Sequence, residues 1–133
     1  MAHPNEQMLR SASEAMDKGN PQPMFDMFAD DAVVHVGGRN KIAGDYKGKD
    51  EIQKSFGMFM QSLGENPKME THAILADDEH AVVLQKASAS RGGKNIEIPG
   101  VGIFHFANGK VSEAWFHDMD PYSADPWYDE GLR

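Results

Sequence analysis

Residues Pro99–Asp120 read PGVGIFHFANGKVSEAWFHDMD. Two alternating apolar runs meet at Ala107-Asn108-Gly109, and Asn-Gly between such runs is a strong hairpin signal. The length of the loop fixes which side chains share a face. A two-residue turn at Asn108-Gly109 pairs Phe106 with Val111 and sets Phe104 beside Glu113. A three-residue loop, with Gly109 left-handed, pairs Phe106 with Lys110. We adopt the three-residue loop. It puts Gly100, Gly102, Phe104, Phe106, Ser112, Ala114, Phe116 and Asp118 on one face, and Val101, Ile103, His105, Val111, Glu113, Trp115 and His117 on the other. The first face is apolar, hollow at Gly100, Gly102 and Ala114, and ends in one carboxylate, Asp118. Such a hollow holds a ligand where other elements roof it. Otherwise the glycines serve close packing or a bulge.

The preceding chain supplies candidates for the roof. Asn5–Lys18 reads as a helix with a stripe of Met8, Ala12, Ala15 and Met16, capped by Asn5 and ended by Gly19. Asn20-Pro21 restarts a helix whose apolar side is Met24, Phe25, Met27 and Phe28, with Asp30-Asp31 closing it. Ala32–Val36 is a short strand and Gly37–Lys47 a loop. A third helix starts near Gly48–Asp50, carries Ile52, Phe56, Phe59, Met60 and Leu63 as one stripe, and stops at Gly64. The pattern then turns to period two. Lys68–Ala76 and His80–Arg91 are strands about an Asp77-Asp78-Glu79 turn, and Gly92-Gly93 leads back into the hairpin. The tail from Pro121 is a short helix or lid. Helices grouped on one side of a four-strand antiparallel meander make an α+β domain.

The 133 residues contain no internal repeat and form one domain, residues 1–133. A net charge of −8 argues against nucleic acid and anionic membrane as partners. The absence of cysteine excludes disulfides and thiolate metal sites. No apolar run approaches a membrane span, and MAHPNEQ lacks the segments of a secretory signal, so the expected location is the cytoplasm. Nine methionines suit either a core or a forgiving apolar pocket.

FADDAVVHVGG, AGDYKGKDEI and FHFANGKVSEAWFHDMD, in that order and spacing, resemble the SnoaL-like families of the ketosteroid isomerase and nuclear transport factor 2 superfamily. The resemblance covers Asn5 to Trp127. It implies a cone-shaped, curved antiparallel sheet, the nuclear transport factor 2-like or cystatin-like roll, with three helices packed on its concave face over an apolar pocket. It also implies a homodimer through the outer sheet face. Members include isomerases, polyketide cyclases, dehydratases, epoxide hydrolases and proteins that only bind, so the fold alone selects no activity. The positions matching the tyrosine, base aspartate and hairpin aspartic acid of the steroid isomerases hold Ala12, Val36 and Gly102. Steroid isomerisation by that mechanism is therefore rejected.

Two residues are candidates for chemistry. Asp118 in an apolar hollow has a raised pKa and can move a proton to or from an enolisable ligand; its alternative is a solvated rim position. The SnoaL-type cyclases resemble this in using a late acidic residue of the sheet as acid/base. His35, near the family's base position, is a neutral base or hydrogen-bond donor, or else a core or interface histidine. The resemblance turns Val83, Gln85, Ala87 and Ala89 toward the pocket, where Gln85 is a candidate to orient a polar group; its alternative is a solvated edge position. Tyr46, Trp127 and Tyr128 are candidates for the mouth. Phe56, Phe59 and Met60 on the third helix, with Gly102, Phe104, Ala114 and Phe116 on the hairpin, complete the expected binding wall. His105, Glu113 and His117 share the outer hairpin face but lack a ligand spacing, so no metal is expected.

The reading is a cofactor-free isomerase-, cyclase- or hydratase-type enzyme on an apolar carbonyl or polyketide-like molecule. The alternative is a noncatalytic ligand-binding or dimeric accessory domain.

Overall fold

The structure is a computed structural model that describes residues 2–133. Helix α1 (Pro4–Asp17) opens at His3, whose ring accepts a hydrogen bond from the Asn5 backbone N–H. A five-residue helix, α2 (Gln22–Asp26), follows. Strand β1 (Phe28–Val36) runs into a loop and β2 (Gly44–Lys47), then α3 (Gly48–Leu63). Four long strands complete the sheet: β3 (Glu65–Ala76), β4 (His80–Arg91), β5 (Lys94–Ala107) and β6 (Lys110–Asp118). Helix α4 (Pro121–Gly131) ends the chain, with Asp120 capping its first turn. None of the described helices is long and apolar enough to cross a membrane.

The strands form one six-stranded sheet in the order β2-β1-β6-β5-β4-β3. The β3–β6 meander is antiparallel as expected, while β1 joins β6 in parallel. Breaks in register within β1/β6, β3/β4 and β5/β6 bend the sheet, because each extra residue adds local twist.

Three expectations are corrected. The hairpin closes by the two-residue turn: Ala107 pairs with Lys110, and both Asn108 (φ 54) and Gly109 (φ 77) are left-handed. Those two positive φ values are what the right-handed strand twist demands of so short a loop. A bulge at Ser112 then restores the face assignment, with Phe104 opposite Ala114, Gly102 opposite Phe116 and Gly100 opposite Asp118. The same bulge turns Val111 inward, where it is fully buried.

Asp30-Asp31 does not end a helix. Strand β1 already begins at Phe28, where the Val111 N–H donates to the Met27 carbonyl at 2.8 Å and draws the chain into the sheet. Residues 44–47, read as loop, form edge strand β2 paired with Val33–Val36. With one aromatic, Tyr46, among polar residues, it shows no period-two signal in sequence.

Two apolar clusters hold the domain together. The first joins α1, β1 and the turn end of the hairpin through Leu9, Phe28, Val34, Phe104, Phe106 and Val111. The second joins α3, α4 and the far end of the sheet through Ile42, Leu63, Ala87, Ile98, Ala124 and Tyr128.

Candidate functional site

A chamber of about 210 Å³ opens at the seam between these clusters. Its floor is the concave sheet face. In β4 the odd-numbered residues Ala81, Val83, Ala87 and Ala89 are buried, with Gln85 half-buried among them. Its roof comes from α1 (Leu9, Ala12, Ser13, Met16) and α3 (Ile52, Ser55, Phe56, Phe59), and Tyr128 of α4 closes one end. The size exceeds the roughly 150 Å³ known to accommodate benzene in an apolar cavity and falls below most drug-sized sites. It suits one ring with substituents. An outer groove lined by Met60, Pro67, Lys68 and Glu70 shares Met16, Asp17, Met69 and Thr71 with the chamber and forms its mouth.

Loop 37–43 seals the chamber beside α4. Asp125 accepts hydrogen bonds from the Arg39 backbone N–H (3.1 Å) and the Asn40 side-chain amide (2.7 Å), and Asp129 accepts one from the Lys41 N–H (2.7 Å). Ile42 is thereby held in the wall. His117, at the rim, packs its ring so closely on Gly37 that any side chain there would collide with it.

Asp118 lines the chamber and is half-buried. Loss of water raises its pKa above the ordinary 3.8, because burial penalises the charged form. The neighbouring Tyr128 hydroxyl pulls it part of the way back, nearby Asp125 adds to the rise, and His117 opposes it. The Tyr128 phenol is itself pushed far up, first by burial and then by the Asp118 charge, and stays protonated. Acid and phenol together form a polar end in a largely apolar space.

Gln85, Phe56, Phe59, Phe104 and Phe116 also line the chamber. Ala12 and Val36, at the empty isomerase positions, are wall residues too. Six expected positions lie elsewhere. His35 faces the opposite side of the sheet, stacked on Trp115 between the carboxylates of Asp45 (2.6 Å) and Glu113 (2.5 Å). The Tyr46 hydroxyl donates to the Ile42 carbonyl and is committed to holding loop 37–43. Trp127 donates its indole N–H to the Leu63 carbonyl at 2.9 Å, beneath the Arg91 guanidinium. Met60 belongs to the mouth. Ala114 is fully buried in the first cluster. Gly102 is no hollow either: a Cβ there would meet the Phe104 and Phe116 rings at 3.0 and 3.1 Å. The two phenylalanines, packed edge to face, fill that space, and of the two glycines Gly100 is the one that lines the chamber.

Residues the sequence left unassigned include Ser13 in the roof, Asp17 and Thr71 at the mouth and Ile98 in the floor. Alternation along β3 and β5 was the available signal, but which end of each strand the helices leave open depends on tertiary packing.

Residues 9–114 match the SnoaL-like domain family. No curated protein matches the chain in sequence. Among solved structures, Bal32a from a soil-derived mobile gene cassette is similar with 29% identity and a TM-score of 0.83, covering 93% of this chain and 95% of that one. TerC, co-crystallised with polyporic acid, superposes with a TM-score of 0.79 at 11% identity, covering 94% of this chain and 98% of that one. A protein from Jannaschia sp. CCS1 that is described by likeness as a SnoaL-like polyketide cyclase gives a TM-score of 0.73 at 11% identity, covering 93% of this chain and 94% of that one. Other matches are described as nuclear transport factor 2-like or ketosteroid isomerase-like in fold.

Proposed function

The chain belongs to the SnoaL-like domain family, and from that premise we propose that its chamber binds a small, largely apolar carbonyl compound and that Asp118 exchanges a proton with it. The observation that carries the reading is a partly desolvated carboxyl at the end of a largely apolar chamber of about 210 Å³. A carboxyl shifted upward toward neutral pH serves as base in one step and acid in the next. The carboxylate removes a proton from the carbon beside the ligand carbonyl, and the carboxylic acid so formed returns it to the carbon or oxygen of the enolate. Tyr128, rather than Tyr46, supplies the neighbouring hydroxyl that stabilises the ionised acid. TerC co-crystallised with polyporic acid supports a small oxygenated ligand in this fold.

The test is loss of α-deuterium from a small ring ketone such as 1-indanone, followed by proton NMR. Acceleration by the wild-type chain that falls by about 100-fold in Asp118→Asn supports the reading. Equal acceleration by both proteins removes Asp118 from it. Binding without acceleration in either favours the noncatalytic pocket, a reading that Ala12, Val36 and Gly102 at the isomerase positions also favour.

We further propose a homodimer through the outer sheet face, where Ile103 and Trp115 lie half-buried among polar groups. A monomeric mass in sedimentation equilibrium at micromolar concentration would count against it.

A further inference from the structure

The floor of the chamber carries a line of polar residues set straight across four strands. Thr71 of β3 pairs with Gln85 of β4, Gln85 with Gly100 of β5, and Gly100 with Asp118 of β6. Gln85, Gly100, Thr71 and Asp118 all line the chamber, and at the α1 edge the Thr71 hydroxyl is already engaged with Ser13 at 3.1 Å. Among the described residues no hydrogen-bond partner is assigned to the Gln85 carboxamide. Adjacent strands lie about 4.8 Å apart, so the Gln85 and Asp118 backbones are separated by two such steps, roughly 10 Å. Gly100 is the gap between them. An atom at its Cβ position would stand 3.4 Å from Asp118 Oδ1, so the carboxyl leans over the glycine toward Gln85.

We propose that Gln85 and Asp118 form one recognition edge, with Gly100 as the slot between them, and that this edge selects an uncharged ring compound bearing two oxygen groups on one side while rejecting carboxylates. The inference rests on the chamber reading above and names its ligand class. The two ends carry different chemistry. Gln85 offers both amide donors and a carbonyl acceptor, and Asp118 offers a carboxyl able to accept or donate. A ligand with a single oxygen leaves one end unpaired in a space with little water, and unpaired polar groups cost binding. Charge supplies the exclusion. The ionisable side chains of the lining are Asp17, Asp118, His117 and Tyr128, with no lysine or arginine among them. Asp125 adds further negative charge beside Asp118, and Arg91 is turned to the carbonyls of Ser62 and Trp127. An anionic ligand at this edge would meet the Asp118 and Asp125 carboxylates with no lysine or arginine in the lining to pair with, and Lys68 at the mouth is already paired with Glu70 at 3.0 Å.

The test is isothermal titration calorimetry of the full chain at pH 7.5 with acetophenone, 3-hydroxyacetophenone and 3-hydroxybenzoate. The expected order is 3-hydroxyacetophenone tighter than acetophenone by about tenfold, and 3-hydroxybenzoate weaker than either by at least about that factor. Gln85→Leu, of similar size, reduces the preference for the second oxygen to under about threefold. Asp118→Asn relieves the rejection and strengthens 3-hydroxybenzoate binding by about tenfold. Thermal unfolding of each variant separates a lost contact from a lost fold. If acetophenone binds but the three probes tie, or if the preference survives Gln85→Leu in a folded variant, the recognition edge is wrong while the chamber stands. If none of the three binds, both readings fall.

Discussion

Asp118 Oδ1 overhangs Gly100, 3.4 Å from where that residue's Cβ would be, and the carbonyl oxygen of His117 lies 3.1 Å from the same point. The acid reaches over the central strand because the side chain beneath it is missing. A glycine in strand β5 sacrifices chain entropy and packing, and here the return is room for a ligand and a path for the carboxyl.

Gly100→Ala tests that relationship. The added methyl is tight against the His117 carbonyl, a backbone atom that must shift, and touches the carboxyl at ordinary contact distance. The expected result is a folded protein less stable by about 1 kcal/mol, as for small overpacking changes, with weakened binding of any chamber ligand. Denaturant unfolding and calorimetry check the two halves separately. Unchanged ligand affinity would show that the slot is not used.

Asp118→Asn carries a pH signature. The folded-state pKa of Asp118 lies above its ordinary 3.8, so the native state holds this proton more tightly than the unfolded chain. Its contribution is therefore full below pH 3.8 and is lost as pH rises through the folded value. Above the folded value the wild type bears a desolvated charge that the amide does not. The variant should melt higher than wild type at pH 7, and the gap should close toward pH 3. Thermal unfolding across that range measures it, and a variant less stable at pH 7 would mean the carboxylate is well satisfied.

The sequence revealed the concave face of the hairpin but not the reason for it. A three-residue loop implies one parity along β5 and β6, whereas the protein uses Asn108-Gly109 with a bulge at Ser112, and the two routes differ at Val111 and give the same face beyond the bulge. A bulge has no composition signal of its own, so alternation alone could not locate it. The hollow was legible as missing side chains, but whether neighbours fill it was not. At Gly102 the Phe104 and Phe116 rings fold into the space, whereas Gly100 lines the chamber with the His117 carbonyl and the Asp118 carboxyl beside it. Tyr46 and Trp127 illustrate a second limit. Both are aromatics near the chamber with polar tips, and both tips are taken up by backbone carbonyls that only the tertiary fold brings near.

His35 is expected to act as a charged clamp on the outer face. Both ring nitrogens lie within hydrogen-bond distance of carboxylates, Asp45 on β2 and Glu113 on β6, and only the imidazolium donates from both. Its pKa is raised above 6.5 by those hydrogen bonds, chiefly the one with Asp45 and then that with Glu113. A raised pKa of a cationic group places its stabilisation below pH 6.5 and removes it as pH climbs through the folded value. His35→Gln should cost about 1 kcal/mol at pH 6, in keeping with a partly exposed pair, and close to nothing at pH 9. Thermal unfolding at the two pH values and an NMR titration of the imidazole check it. A pH-independent loss would assign the effect to the stacking on Trp115 instead.

Arg91 fixes α4 to the domain, and with it Tyr128 at the end of the chamber. Its guanidinium donates to the Ser62 carbonyl at 2.7 Å and to the Trp127 carbonyl at 2.9 and 3.1 Å, and lies 4.1 Å above the indole ring of Trp127. These carbonyls end α3 and pass along α4, so one cation ties two helices to strand β4. Arg91→Met keeps most of the aliphatic stem and removes every donor. Loss of charge-assisted bonds at a half-buried site should lower stability by about 2 kcal/mol, read by urea unfolding. It should also loosen α4 before the rest of the domain opens, so amide exchange of residues 121–131 should rise while that of β4 and β5 stays slow. If Arg91→Met weakens ligand binding, a conservative Arg91→Lys variant should restore part of it through the Ser62 carbonyl. Full binding in the methionine variant would show that the chamber holds its shape without an anchored α4.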